Sequence, residues 1–175
     1  PAFGVSTACS SSARVFGSAE RLLRLGFADA VLVGGTDSLC QSVLYGFNSL
    51  ELMSPEACRP FDVARQGLSL GEGAGFALLE RGPGDGIILK GYGETSDAHH
   101  MSSPHPEGLG ARRAMEQALA SAGLAPTAID YVNLHGTATR LNDQIEGEAM
   151  RSLFADPVAC SSVKGWTGHT LGAAG

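Results

Sequence analysis

Short apolar runs alternating with helix-period segments constrain the fold of this chain more than any other feature. Ala30-Val31-Leu32-Val33 is apolar without alternation, the pattern of a strand buried on both faces. Before it, Ser10 to Leu25 sets Val15, Phe16, Ala19, Leu22 and Leu23 on one helical face, and its serines and Gly26 suit the two ends of a helix. Further helices are expected at Ser38 to Leu50, Ala111 to Ala122 and Asp143 to Phe154, the last with Glu146 at capping-box spacing from Asp143. Strands are expected at Ala74 to Leu79, Ile87 to Tyr92, Tyr131 to Leu134 and Val158 to Val163, with a turn at Gly82 to Gly86 and polar loops between. This succession predicts a layered α/β protein with a largely parallel sheet.

Composition narrows the function. Twelve basic against eighteen acidic residues give a net charge of -6, with no basic stripe for a nucleic acid. No apolar run approaches the roughly 20 residues that span a bilayer, so the chain reads as soluble. The 24 glycines are about double the usual share of about 7%, and their dispersal points to tight turns and close backbone approaches. Four cysteines without a CxxC pair or a secretory context read as reduced thiols in a cytoplasmic protein. Phe3-Gly4-Val5 looks like the end of a strand already under way, and Leu171 to Gly175 stops where a helix would begin. A piece of a longer protein is expected.

Cys9 falls between that apparent strand end and the first turn of a helix, where unpaired N–H groups and the helix dipole favour a thiolate. A small buried cysteine is the commoner reading for an arbitrary thiol, and it is kept for Cys40, Cys58 and Cys160. His135 and His169 both follow predicted strands and have glycine neighbours. Ligands gather beyond the carboxyl ends of parallel strands, so Cys9, His135 and His169 are candidates for one pocket. His99, His100 and His105 lack a cysteine or carboxylate at zinc-ligand spacing, and no metal is expected. Arg59 and Arg65 read either as contacts for an acidic partner or as solvated loop residues.

Three stretches then carry a family likeness: Thr7-Ala8-Cys9-Ser10-Ser11-Ser12, His135-Gly136-Thr137-Ala138-Thr139, and Lys164-Gly165-Trp166-Thr167-Gly168-His169-Thr170-Leu171-Gly172-Ala173-Ala174-Gly175. With Arg59-Pro60-Phe61-Asp62, Gly71-Glu72-Gly73-Ala74-Gly75 and Ser96-Asp97-Ala98-His99-His100-Met101, the chain resembles the beta-ketoacyl-acyl-carrier-protein synthases over nearly its whole length. The resemblance implies a thiolase-like layered α/β/α/β/α architecture, incomplete here. Residues 1–84 would end its N-terminal half and 85–175 would begin its C-terminal half. It implies an acyl-accepting nucleophile at Cys9 and a decarboxylating pair at His135 and His169. Lys164 would support His169, Glu146 would belong to the same network, and Thr137 and Thr139 would hold a phosphopantetheine arm.

The implied reaction is decarboxylative condensation of a Cys-bound acyl group with malonyl-acyl-carrier protein. It needs no cofactor beyond the carrier's phosphopantetheine. Implied partners are an acyl carrier protein, acyl and malonyl thioesters, and a second subunit in a homodimer or heterodimer. A later Gly-rich segment of the family is absent, and Gln66-Gly67-Leu68-Ser69 replaces a more usual acidic-Gly-aromatic stretch. The isolated chain is therefore expected to lack a complete active site. Two rival readings use the same residues: a cysteine acyl hydrolase or transferase working with Cys9 and His135, and a non-catalytic chain-length partner. Such partners usually lack the cysteine.

Overall fold

A computed structural model describes residues 2–83, 86–100 and 103–175. Gly84 and Asp85 of the expected turn, and Met101 and Ser102 of the loop after it, lie outside the described residues. The chain forms two compact units, each discontinuous in sequence: Pro1–Cys40 with Leu70–Leu89 and His169–Gly175, and Gln41–Ser69 with Lys90–Gly168. Among the described residues no helix is long and apolar enough to cross a membrane.

In the first unit α1 (Ser11–Arg24) packs on β1 (Ala30–Asp37), which pairs with β2 (Gly73–Glu80). The helix stops because Gly26, at φ +74°, turns the chain into the left-handed region while Leu25, Gly26 and Phe27 donate to the last carbonyls. Its buried residues are Ser12, Gly17, Ala19 and Leu23. The ladder is antiparallel from Ala30↔Glu80 to Asp37↔Gly73, a departure from the largely parallel sheet expected. An apolar run reports burial and carries no information on direction. Burial itself also differs from expectation. Val33 is buried, whereas Leu32 is 69% exposed and faces away from the covered side. Within this unit α1 covers one face of the ladder, so the strand alternates in exposure although its residues do not alternate in polarity. Gly35 is the close approach that lets the helix settle there: a Cβ on it would lie 2.7 Å from Cβ of Ser12. Residues 2–6 form no strand, contrary to the reading of Phe3-Gly4-Val5.

The second unit holds α2 (Gln41–Ser49), α3 (Leu109–Ala122), β3 (Tyr131–Asn133), α4 (Arg140–Leu153), β4 (Ala159–Ser161) and the single turn α5 (Lys164–Thr167). Here β3 and β4 are parallel, Tyr131↔Ala159 to Asn133↔Ser161, and α4 supplies the crossover such a pair requires. The helix α4 buries Asp143, Ile145, Ala149 and Met150 and packs on α3. It begins at Arg140 with Thr139 at its N-cap, so Asp143 stands inside the helix and the expected capping box does not form.

Ile87 to Tyr92 joins no ladder, which corrects a further expected strand. Its end lies against a helix instead. A Cβ on Gly91 or Gly93 would come within 2.7 Å of the α3 backbone, and the N–H groups of Tyr92 and Glu94 donate to Ser121 and Gln117 on that helix. Cys40 precedes α2 and is not part of it.

Candidate active site

The turn carrying Cys9 is stitched by its own serines. Ser11 Oγ accepts from Thr7 N–H at 2.9 Å and donates to the Ala8 carbonyl at 2.7 Å, while Ser10 Oγ donates to the Thr7 carbonyl at 2.8 Å. Ala8 sits at φ +51°, a conformation that costs an L-residue energy and persists only where its surroundings hold it. The result sets half-buried Cys9 two residues ahead of α1.

His169 is in the same unit, and one of its ring nitrogens lies within 4.8 Å of Cys9 Sγ. The imidazole is 2% exposed. Gly71 N–H donates to its carbonyl at 3.0 Å, beside a bridge between His169 and Leu70. Its Nδ1 accepts from Leu171 N–H at 3.1 Å. An accepting Nδ1 carries no proton, so the neutral ring holds its hydrogen on Nε2.

The second unit builds its own cluster around His135. Glu146, from α4, accepts from His135 N–H at 2.6 Å and from Gly136 N–H at 2.8 Å, one carboxylate oxygen to each. This replaces the capping role the spacing suggested. Lys164 is buried and donates its ammonium to the His135 carbonyl at 2.6 Å. The resemblance named His169 as the residue Lys164 supports; the bond seen here runs to His135. Gly136, at φ +41°, has no room for a side chain, since a Cβ would lie 2.5 Å from Cβ of Ser162. The hydroxyls of Thr137 and Thr139 are 2.9 Å apart, with Thr137 buried and Ala138 between them at φ +65°.

Burial first, and the Lys164 charge second, lower the His135 pKa from its ordinary 6.5 to about 4. The folded chain therefore holds this imidazole neutral at pH 7. Between pH 6.5 and 4 the unfolded chain binds the proton and the folded chain does not, so stability is complete above 6.5 and declines as pH falls through that window. Urea midpoints at pH 7 and pH 4 should show the decline, and His135→Asn should reduce the difference; an unchanged difference would contradict the shift.

Several supporting residues escaped the sequence reading. Asp143, 2% exposed, accepts from Phe61 N–H at 2.7 Å and Ala138 N–H at 3.1 Å, tying the loop after Pro60 to the His135 loop. Arg65 lies 3.6 Å from it and donates to the Arg140 carbonyl, which overturns its reading as a solvated loop cation. Arg59 fits that reading, paired with Glu56 at the surface. Buried Cys58 donates its thiol to the Lys164 carbonyl at 3.0 Å. Cys40 and Cys160 are exposed, against the buried reading, and β4 is exposed along its whole length. His99 and His105 stand with ring centroids 5.1 Å apart, and His105 Nδ1 accepts from Glu107 N–H. No spacing rule would have found Asp143 or Cys58, because their partners are distant in the chain or are backbone groups.

Comparison with known proteins gives one answer. Residues 1–83 match the beta-ketoacyl synthase N-terminal domain and residues 87–175 its C-terminal domain. A 3-oxoacyl-[acyl-carrier-protein] synthase 2 of Rhizobium meliloti is 42% identical over 193 residues, covering 100% of this chain and 46% of that protein. A ketosynthase (ApeO) solved in complex with its chain length factor (ApeC) from Xenorhabdus doucetiae superimposes with a TM-score of 0.96 at 53% identity, over 100% of this chain and 44% of that one. A type II polyketide synthase acyl-carrier protein in complex with its ketosynthase bound to the hexaketide matches with a TM-score of 0.92 at 29% identity, over 99% of this chain and 47% of that one. The chain thus spans less than half the length of these relatives, and over that span its backbone follows the thiolase-like fold of ketosynthases. With both domain signatures present in order and only residues 84–86 between them, this chain belongs to the beta-ketoacyl synthase family.

Proposed function

We propose that the full-length protein containing this chain is a ketosynthase that joins a Cys9-bound acyl group to malonyl-acyl-carrier protein. The observation that carries the reading is Cys9 Sγ within 4.8 Å of a His169 ring whose Nδ1 is occupied by Leu171 N–H. In the first step the Cys9 thiolate attacks an acyl thioester and expels the carrier's thiolate. In the second, the malonyl thioester loses carbon dioxide, and the electron pair of the broken C–C bond passes toward the thioester oxygen. The Nε2–H of His169 meets that charge, a contribution on the order of 3 kcal/mol. By the family resemblance His135, neutral at working pH, is the second member of the decarboxylating pair. The enolate carbon then attacks the acyl carbonyl and expels the Cys9 thiolate, leaving a β-ketoacyl thioester on the carrier.

Lys164 and Glu146 hold the His135 loop, and Thr137 and Thr139 hold the phosphopantetheine arm. No further cofactor is required. The partners are an acyl carrier protein and a second subunit, identical or a chain length factor, and the compartment is the cytoplasm. Residues 1–84 and 85–175 belong to the two halves of the complete fold. Incubating the full-length protein with a panel of acyl carrier thioesters, followed by intact mass, should place one acyl group on Cys9. His169→Ala should lower malonyl-thioester decarboxylation by about 100-fold or more. Near-native decarboxylation would refute the role of His169, and acylation without carbon–carbon bond formation would favour a cysteine acyl hydrolase or transferase.

A further inference from the structure

Nδ1 of His169 accepts from a backbone N–H, and that N–H belongs to a residue under strain. Leu171 sits at φ +51°, inside the short turn Leu171–Ala173. Nothing in a leucine favours this conformation, so contacts from elsewhere must hold it. Besides the turn's own bonds from Ala173 N–H to the Thr170 carbonyl and from Ala174 N–H to the Leu171 carbonyl, one such contact comes from Asp37, the last residue of β1. Its Oδ2 accepts from Gly172 N–H at 3.0 Å across 135 positions of sequence, while Oδ1 accepts from Ser38 N–H at 3.1 Å. The fit is close: a Cβ on Gly172 would lie 3.2 Å from the same Oδ2. Gly35, two residues earlier on the strand, supplies the floor, where a Cβ would meet the Gly172 carbonyl and Ala173 Cα at 3.1 Å. Ser12 Oγ fixes the far end by accepting from Gly175 N–H at 2.7 Å.

We propose that Asp37 is a positioning residue for His169: by holding Gly172 N–H it keeps the strained Leu171 turn in place, which aims Leu171 N–H at Nδ1 and confines the ring proton to Nε2. The inference rests on the condensation reading for its catalytic consequence, while its structural claim is independent of it. A carboxylate suits the task because a charged acceptor binds a backbone N–H more strongly than a neutral one. The strand end is a fixed base, with its ladder running through Asp37↔Gly73.

The test uses the full-length protein with 15N-labelled histidine and a malonyl-thioester decarboxylation assay. Unsubstituted protein should show His169 with Nε2 protonated and Nδ1 bare. Asp37→Ala should show both tautomers and a kcat lower by about tenfold or more, with KM changed by less than about twofold. Asp37→Asn keeps an acceptor oxygen and should keep the Nε2 proton. Leu171→Gly added to Asp37→Ala should recover the single tautomer and most of the rate, because glycine adopts the required φ without strain. A single Nε2 tautomer in Asp37→Ala, or no recovery on adding Leu171→Gly, would overturn the proposal. Should Asp37→Ala not fold, Asp37→Ser, too short to reach Gly172, is judged by the same two results. Tautomer mixing in Asp37→Ala without acylation of Cys9 in the unsubstituted protein would overturn the condensation reading and leave this one standing.

Discussion

Cys9→Ala should abolish acyl-enzyme formation in the full-length protein, with acyl transfer falling by more than about 10^4-fold. The size of the effect follows from the chemistry: without the sulfur there is no nucleophile, and no other group can carry the acyl chain to the second step. The substitution should leave the fold intact. The turn is held by Thr7, Ser10 and Ser11 through backbone and hydroxyl bonds in which the Cys9 side chain takes no part. The His169 donor also survives, so decarboxylation of malonyl thioester should persist while condensation disappears. Intact mass reads both halves of the expectation. An acyl adduct retained in Cys9→Ala, carried by Cys40, Cys58 or Cys160, would move the nucleophile elsewhere and remove the basis of the proposed reaction.

Glu146→Ala should carry the largest cost among the supporting residues. One carboxylate satisfies two consecutive backbone donors, His135 N–H and Gly136 N–H, at 2.6 and 2.8 Å. Removing it leaves both without that acceptor in a part-buried loop. Hydrogen bonds to a charged group contribute about 1.5–3 kcal/mol each, so the fold should lose on the order of 3–5 kcal/mol. The His135 ring should lose its fixed direction as well, lowering decarboxylation by about 100-fold. Glu146→Gln turns an amide NH2 toward one of the two donors and should fall between the alanine variant and the unsubstituted protein. Chemical denaturation separates the effects. Full stability with lost activity would assign Glu146 a direct chemical role, and full activity would contradict the clamp.

Local signals were legible along the chain because they depend on neighbours in sequence. Serines before an apolar helical face and a glycine after it located α1 to within a residue at each end. Gly123, at φ +66°, closed α3 as its position suggested. The motifs around Cys9, His135 and His169 were sufficient to name the family and the chemistry to be tested.

What stayed hidden depends on partners far away in the polymer. Asp143 and Glu146 had a plausible local role as a capping pair, and it was wrong because Thr139 starts the helix, which frees both carboxylates for the loops at Phe61 and His135. Ile87 to Tyr92 had the composition of a strand, but Gly91 and Gly93 bring its end against α3. Apolar residues in β1 announced burial, yet which face α1 covers, and that β2 runs antiparallel, emerged only on folding. The order of residues therefore dictated helix ends, reactive groups and family. Packing alone set the tautomer of His169, the neutrality of His135 and the clamp on its loop, since each arises from hydrogen bonds and desolvation between segments that meet only when the chain is folded.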